Sequence, residues 1–303
     1  MMRAFASYIM RGRIHAIAAA VGFMGLSLIF PLFSYVSAAT VALVTLRLGW
    51  RETVLVTGGA LLATSAVAGI ALGDPGVGAS FALVVWLPII VLALVLRQTT
   101  SLPITLAVAA SLGALGVLAI YAGVDDPAGW WRESVIKVIQ TQILDTAGLD
   151  AEQAETWRVA LDQMANVMTG IVVAWFVLSS VLSLLLARWW QAMLYNPGGF
   201  RTEFYQLRLG KTMAMIALAL MLTSLLPLDK IAAISKDIVI VLVLLYMLQG
   251  LAVVHASVAA RRISAGWLVA LYFVLMLVPM VVAIAGLLDT WVELRNRVRP
   301  TQS

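Results

Sequence analysis

Apolar residues along this chain come in nine blocks, and the ionisable residues fall almost entirely between them. The blocks are Ile14–Phe30, Leu32–Leu46, Thr53–Leu72, Ser80–Leu96, Pro103–Ala122, Asn166–Ala187, Thr212–Leu226, Ile238–Ala259 and Gly266–Leu288. A helix needs roughly 20 apolar residues to cross a bilayer, with about 17 as the lower end. The first two blocks are short and only Pro31 divides them. They form a tight hairpin or a broken helix pair. The alternative, one long kinked span, would move Arg47 and Arg51 to the other side. The pattern predicts an all-α protein, a polytopic transmembrane helical bundle of nine spans, or eight if two segments fuse. Residues 1–303 are read as one integral membrane domain.

Two stretches between blocks are more than linkers. Residues 124–165 form the longest polar segment. Trp131, Val135, Val138, Ile139 and Ile143 recur at helical spacing there, Gly148 interrupts, and Asp150 with Gln153 resembles a capping box. Trp157, Leu161 and Met164 continue a second amphipathic face. The segment reads as two surface helices, or as a lid over an outward cavity hinged at Gly148. The second stretch, residues 188–211, contains Tyr195, then Asn196-Pro197-Gly198-Gly199, a strong turn signal. Phe200, Phe204 and Leu207 share a helical face after it, with Arg201, Glu203 and Arg208 among them. This suits a membrane-surface helix whose arginines meet lipid phosphates, or a docking site for a cytoplasmic partner.

Composition supports the membrane reading. The chain is 62% hydrophobic and only 12% charged, against about a quarter charged in soluble domains. It has no cysteine and two histidines, which excludes disulfides, thiolate metal sites and a histidine cluster. The net charge of +5 is read through topology rather than as a nucleic-acid signal. Nine spans with the N-terminus in the cytoplasm place Arg3, Arg11, Arg13, Arg47, Arg51, Arg97, Arg188, Arg201, Arg208, Lys211, Arg261 and Arg262 inside. Most acids then fall outside, Asp289 and Glu293 included. Arg295, Arg297 and Arg299 run against this map. The first apolar block is far longer than the h-region of a signal peptide, about 7–15 residues, and reads as an uncleaved signal anchor. The expected location is the cytoplasmic (inner) membrane of a bacterium, crossed several times.

Aromatic and small residues supply further candidates. Most indoles sit at block edges, as an interfacial belt does. Trp86 and Trp175 lie inside blocks. Either they pack helices, or with Pro88 and the loop residue Trp157 they border one outward ligand cavity. Pro88 would open its helix by removing a backbone bond. Ala16, Ala20 and Gly22 in the first block form a small-residue pattern that lets helices approach closely. Gln249 precedes His255 and forms a polar patch with it if the two share a face. Ser179, Ser180 and Ser183 are expected to bond their own helix carbonyls, and Asp74 beside Pro75 reads as a turn residue.

The run Ala187-Arg-Trp-Trp-Gln-Ala-Met-Leu-Tyr-Asn-Pro-Gly-Gly-Phe-Arg-Thr-Glu-Phe204, with the flanking span pattern, resembles the YybS-like family of bacterial membrane proteins. That family is grouped distantly with the substrate-binding S components of energy-coupling-factor vitamin transporters. The resemblance implies an S-component-like fold and a coupling subunit that contacts an AxxxA pattern on the first helix, here Ala16–Ala20. S components have fewer spans than the nine counted in this chain.

No HExxH, GxSxG, CxxC or Walker pattern occurs. The expectation is a non-enzyme without cofactor or metal, partnered by membrane lipids and by a membrane coupling subunit or cytoplasmic protein. The leading function is a transporter-like substrate-binding subunit without its own ATPase. The alternative is a scaffold or assembly factor that docks a partner through residues 188–211.

Overall fold

One helix, α3, is enclosed on all sides. In the computed structural model, which describes residues 1–144, 150–261, 264 and 266–294, every residue from Ser37 to Leu46 is buried. Its sequence is apolar or hydroxylic all round, and such a helix is stable only inside a bundle. In chain order the elements are α1 (Met2–Ile9), α2 (Arg13–Leu26), α3 (Phe33–Leu48), α4 (Trp50–Leu72), α5 (Pro75–Thr99) and α6 (Leu102–Gly123). A crossing segment follows, with α7 (Pro127–Trp131), α8 (Lys137–Ile139) between two π-helical turns, and α9 (Ala151–Ala165). Then come α10 (Met168–Tyr195), α11 (Gly199–Tyr205), α12 (Lys211–Thr223), α13 (Asp229–Ala260), α14 (Gly266–Leu277) and α15 (Pro279–Val292). No strand occurs among the described residues.

The bundle has two centres. Helices α2, α4, α5 and α10 wrap α3, while α6, α10, α12 and α15 wrap α13. Helix α10 belongs to both groups. Among the described residues, five helices are long and apolar enough to cross a membrane: α4, α5, α6, α10 and α13. Shorter apolar helices accompany them: α2, α3, α12 and α15, and α14 is apolar along its length. The first two blocks form the hairpin α2–α3, in which Ser37 Oγ donates to the Ala20 carbonyl at 2.8 Å. At about 1.5 Å per residue, both arms fall short of a full crossing of about 30 Å.

Three expectations change. The ninth block is broken: α14 ends before Val278, and Pro279 begins α15. Proline has no N–H to continue the ladder and pushes the preceding residue out of helical geometry. The charge map also changes. Arg208 was expected on the opposite side from Asp289 and Glu293, yet its guanidinium lies 3.0 Å from Glu293 and 3.7 Å from Asp289. The broken block delivers the end of α15 beside the segment preceding α12. Finally, the core is not free of ionisable groups. Asp237 is fully buried and accepts from the Tyr121 hydroxyl at 2.8 Å. The apolar run starts at Ile238, but the helix starts nine residues earlier at Asp229 and carries Asp237 into the packing. The positions Gly148, Arg262, Arg295, Arg297 and Arg299 lie outside the described residues.

The closest helix crossing is not the one the alanines announced. Ala16 and Ala20 are buried inside the protein, but Gly22 is exposed with nothing near it. The tightest approach joins α13 to α15. A Cβ on Gly286 would overlap the Tyr246 carbonyl oxygen, and one on Gly250 would overlap the Val282 carbonyl oxygen. Both obstacles are backbone, so neither can swing aside. Gly286→Ala is therefore expected to lower stability by about 1–3 kcal/mol, measured by thermal unfolding in detergent. Gly22→Ala should leave stability unchanged or raise it, because alanine is the better helix former. Equal effects at both positions would contradict this packing.

Candidate functional site

The expected cavity of indoles does not assemble. Trp86 is fully buried and donates through Nε1 to Ser37 Oγ at 3.1 Å, so it serves the α3–α5 contact. Trp175 is 59% exposed and borders a groove of about 340 Å³ with Tyr35, Phe81 and Ser179. Pro88 lines a different, smaller recess of about 200 Å³ between α5, α6 and α10. Helix α5 runs unbroken through it. Trp157 is exposed on α9. None of the five cavities described for this molecule is lined by residues 124–165. That segment is fixed instead by Trp131 Nε1, which donates to Thr169 Oγ1 at 2.9 Å. Asp150 caps α9 by accepting from the Gln153 N–H at 2.8 Å, as its spacing suggested.

The largest of the five cavities, about 630 Å³, falls on the other loop. Its walls come from α1, α10, α11, α13 and α14. The loop candidates Pro197, Gly198, Phe200, Arg201 and Phe204 all line it, joined by Arg3, Trp189, Tyr205, His255 and Tyr272. Of the remaining loop candidates, Tyr195, Asn196, Gly199 and Glu203 build its frame. Gly198 has a φ of +89°, a backbone state suited to glycine, and so reverses the chain between α10 and α11. A Cβ on Gly199 would strike the Asn196 side chain. The Tyr195 ring lies under the Arg47 guanidinium at 4.1 Å.

Polar contacts tie this loop to the core helix. Arg188 forms a two-bonded pair with Glu203 of α11. The same guanidinium donates to Gln191 Oε1 at 2.6 Å. Gln191 Nε2 in turn donates to the Leu46 carbonyl at 3.4 Å, and Arg97 donates to that carbonyl at 2.8 Å. Leu46 lies in the last turn of α3, where carbonyls lack intrahelical partners and a cation is favoured by the helix dipole. Thus the end of a buried helix, two arginines and the short helix α11 share one network.

On the opposite wall, His255 lies edge-on to Phe204 at 5.9 Å. Its Nδ1 contacts the Leu251 carbonyl at 2.9 Å. A carbonyl only accepts, so Nδ1 carries the proton. Tyr272 O–H then donates to Nε2 at 3.4 Å. Gln249 does not join His255 in a patch. Six residues apart on a helix is about 240° around the axis, so the two face different ways. Gln249, fully buried, accepts from the Leu209 N–H at 2.8 Å and donates to the Gly286 carbonyl at 2.7 Å. It fastens the irregular segment after α11 to both α13 and α15. The sequence singles out Gln249 as a lone glutamine inside an apolar block but not its partners, which come from distant segments.

Ser179, Ser180 and Ser183 spend their hydroxyl protons on carbonyls of their own helix. Among the described residues, no group of three His, Cys, Asp or Glu could hold a metal ion. Arg208 is held by carboxylates and is not available for lipid phosphates as the sequence suggested. Arg201, by contrast, donates to the Tyr205 hydroxyl at 2.9 Å, and among the described residues no carboxylate lines the groove.

If the Arg188–Glu203 pair holds α11 in place, Arg188→Ala should loosen it by about 1–3 kcal/mol locally. Hydrogen exchange over residues 198–206 should rise while exchange in α13 does not. The double exchange Arg188→Glu with Glu203→Arg should restore part of the protection. No change on breaking the pair would contradict the tether.

Comparison with known proteins places the chain by family. No curated protein matches it, and no solved structure matches it. The family described as predicted membrane protein (DUF2232) matches residues 16–290, which includes both helical centres and the loop that forms the groove. With its apolar helices, the chain is a multi-pass membrane protein and belongs to the DUF2232 family of predicted membrane proteins.

Proposed function

We propose that this protein is a non-enzymatic binding subunit of the membrane whose working surface is the groove along α10 and α11. The observation that carries this reading is the coincidence of the largest of the five cavities, about 630 Å³, with the 188–211 segment. The walls are largely aromatic and aliphatic, with arginines at the edge, which suits recognition rather than bond cleavage. The frame is rigidly built, since α11 is tied through Arg188 to the end of α3.

In this reading the Arg-rich end faces the cytoplasm. The paired contacts of Arg13, Arg47, Arg97 and Arg188 gather those bases at one end of the bundle, and basic residues favour the inner face. The location would be the cytoplasmic membrane of a bacterium. Partners would be lipids and a cytoplasmic or membrane-embedded protein, with no role for nucleic acid. A transporter-like substrate-binding subunit is the second reading. It draws on the resemblance to S components and on the groove near Trp175, where Tyr35 and several serines gather. It would need an energy source from another chain.

The absence of cysteine makes labelling simple. Thr202→Cys, at an exposed position of α11, should resist an impermeant thiol reagent applied from outside and react after permeabilisation; reaction from outside would reverse the orientation. For the working surface, benzoylphenylalanine replacing Phe200 should give a discrete adduct when irradiated after detergent extraction. The same group replacing Leu62, on an outer face, should not. Equal yields at both positions, or none at Phe200, would remove the groove from consideration.

A further inference from the structure

We infer that the groove holds one anionic phospholipid, its phosphate met by Arg3 and Arg201 and an acyl chain laid along the aromatic wall. The inference rests on the groove being the working surface and names its occupant. Three observations converge. First, both arginines line the groove, neither has a carboxylate partner among the described residues, and no acid lines it. The site is therefore complementary to negative charge. Arg201 is also preset, because the Tyr205 hydroxyl accepts from its Nε and its guanidinium lies 5.2 Å from that ring.

Second, the wall behind the charges is apolar and long, formed by Leu185, Leu251, Phe200 and Phe204. A compact polar anion would gain nothing from it, whereas each buried methylene of an acyl chain contributes about 0.8 kcal/mol. Third, the groove runs into the exposed apolar face of α14. Tyr272 lines the groove, and the helix that carries it also exposes Trp267, Val269, Phe273 and Leu277. A bilayer covers such a surface, so a chain from the surrounding leaflet enters sideways without leaving hydrocarbon.

The test is native mass spectrometry of the full chain, delipidated in a nonionic detergent and titrated with phosphatidylglycerol or phosphatidylcholine. One tight phosphatidylglycerol adduct should form, in preference to phosphatidylcholine. Arg3→Gln and Arg201→Gln should each weaken it roughly fivefold. Arg201→Lys should recover part of the affinity, since the charge remains. Arg51→Gln, a change at an exposed arginine outside the groove, should have no effect. Thermal unfolding of each variant checks that the fold is intact, and Arg3→Gln provides a second variant on a different helix. Equal loss in Arg51→Gln, or no preference between the lipids, would overturn the proposal. A polypeptide adduct at Phe200 would also overturn it while leaving the groove as the working surface; no adduct there at all would remove both.

Discussion

A buried backbone carbonyl must find a donor inside the protein, and the end of α3 is where this constraint shapes the molecule. The helix is short and packed among four others, and Leu46 near its end is buried. Arg97 and Gln191 both donate to the Leu46 carbonyl. Leaving such a buried group unpaired costs about 1–3 kcal/mol, more than a single exposed ion pair contributes. The arrangement of the basic end follows. Gln191 is oriented by Arg188, and Arg188 is oriented by Glu203. A groove next to the membrane thereby inherits its rigidity from the termination of a core helix.

The all-helical membrane architecture was legible in the sequence because hydrocarbon enforces long apolar blocks. The α2–α3 hairpin, the Asp150 cap and the turn at Asn196–Gly199 were legible too, since each rests on local chemistry. What escaped was lateral. Trp86 and Trp175 look alike in an apolar block, yet one bonds to Ser37 in the core and the other is mostly exposed. Only the angular placement of α5 and α10 decides between them. The tight crossing at Gly250 and Gly286 escaped for the same reason: glycine marks a close approach but not its partner. Asp237 and Asp289 lie just outside the apolar blocks, yet both are buried because the helices extend beyond those blocks.

The loop at residues 188–211 was the richer half of the reading. Its residues were chosen for turn chemistry and a shared aromatic face, and the structure places Pro197, Gly198, Phe200, Arg201 and Phe204 around one groove. The contributions of Arg3, His255 and Tyr272 come from distant parts of the chain and needed the fold to be seen. The chain is a polytopic membrane protein of the DUF2232 family whose polar links border a groove at its arginine-rich end.

A density map of the protein purified gently from its native membrane tests this account most directly. The account predicts additional density in the groove between α10, α11 and α14, with its polar end against Arg3 and Arg201. A groove closed by its own side chains, with additional density instead beside Trp175 and Ser179, would contradict it.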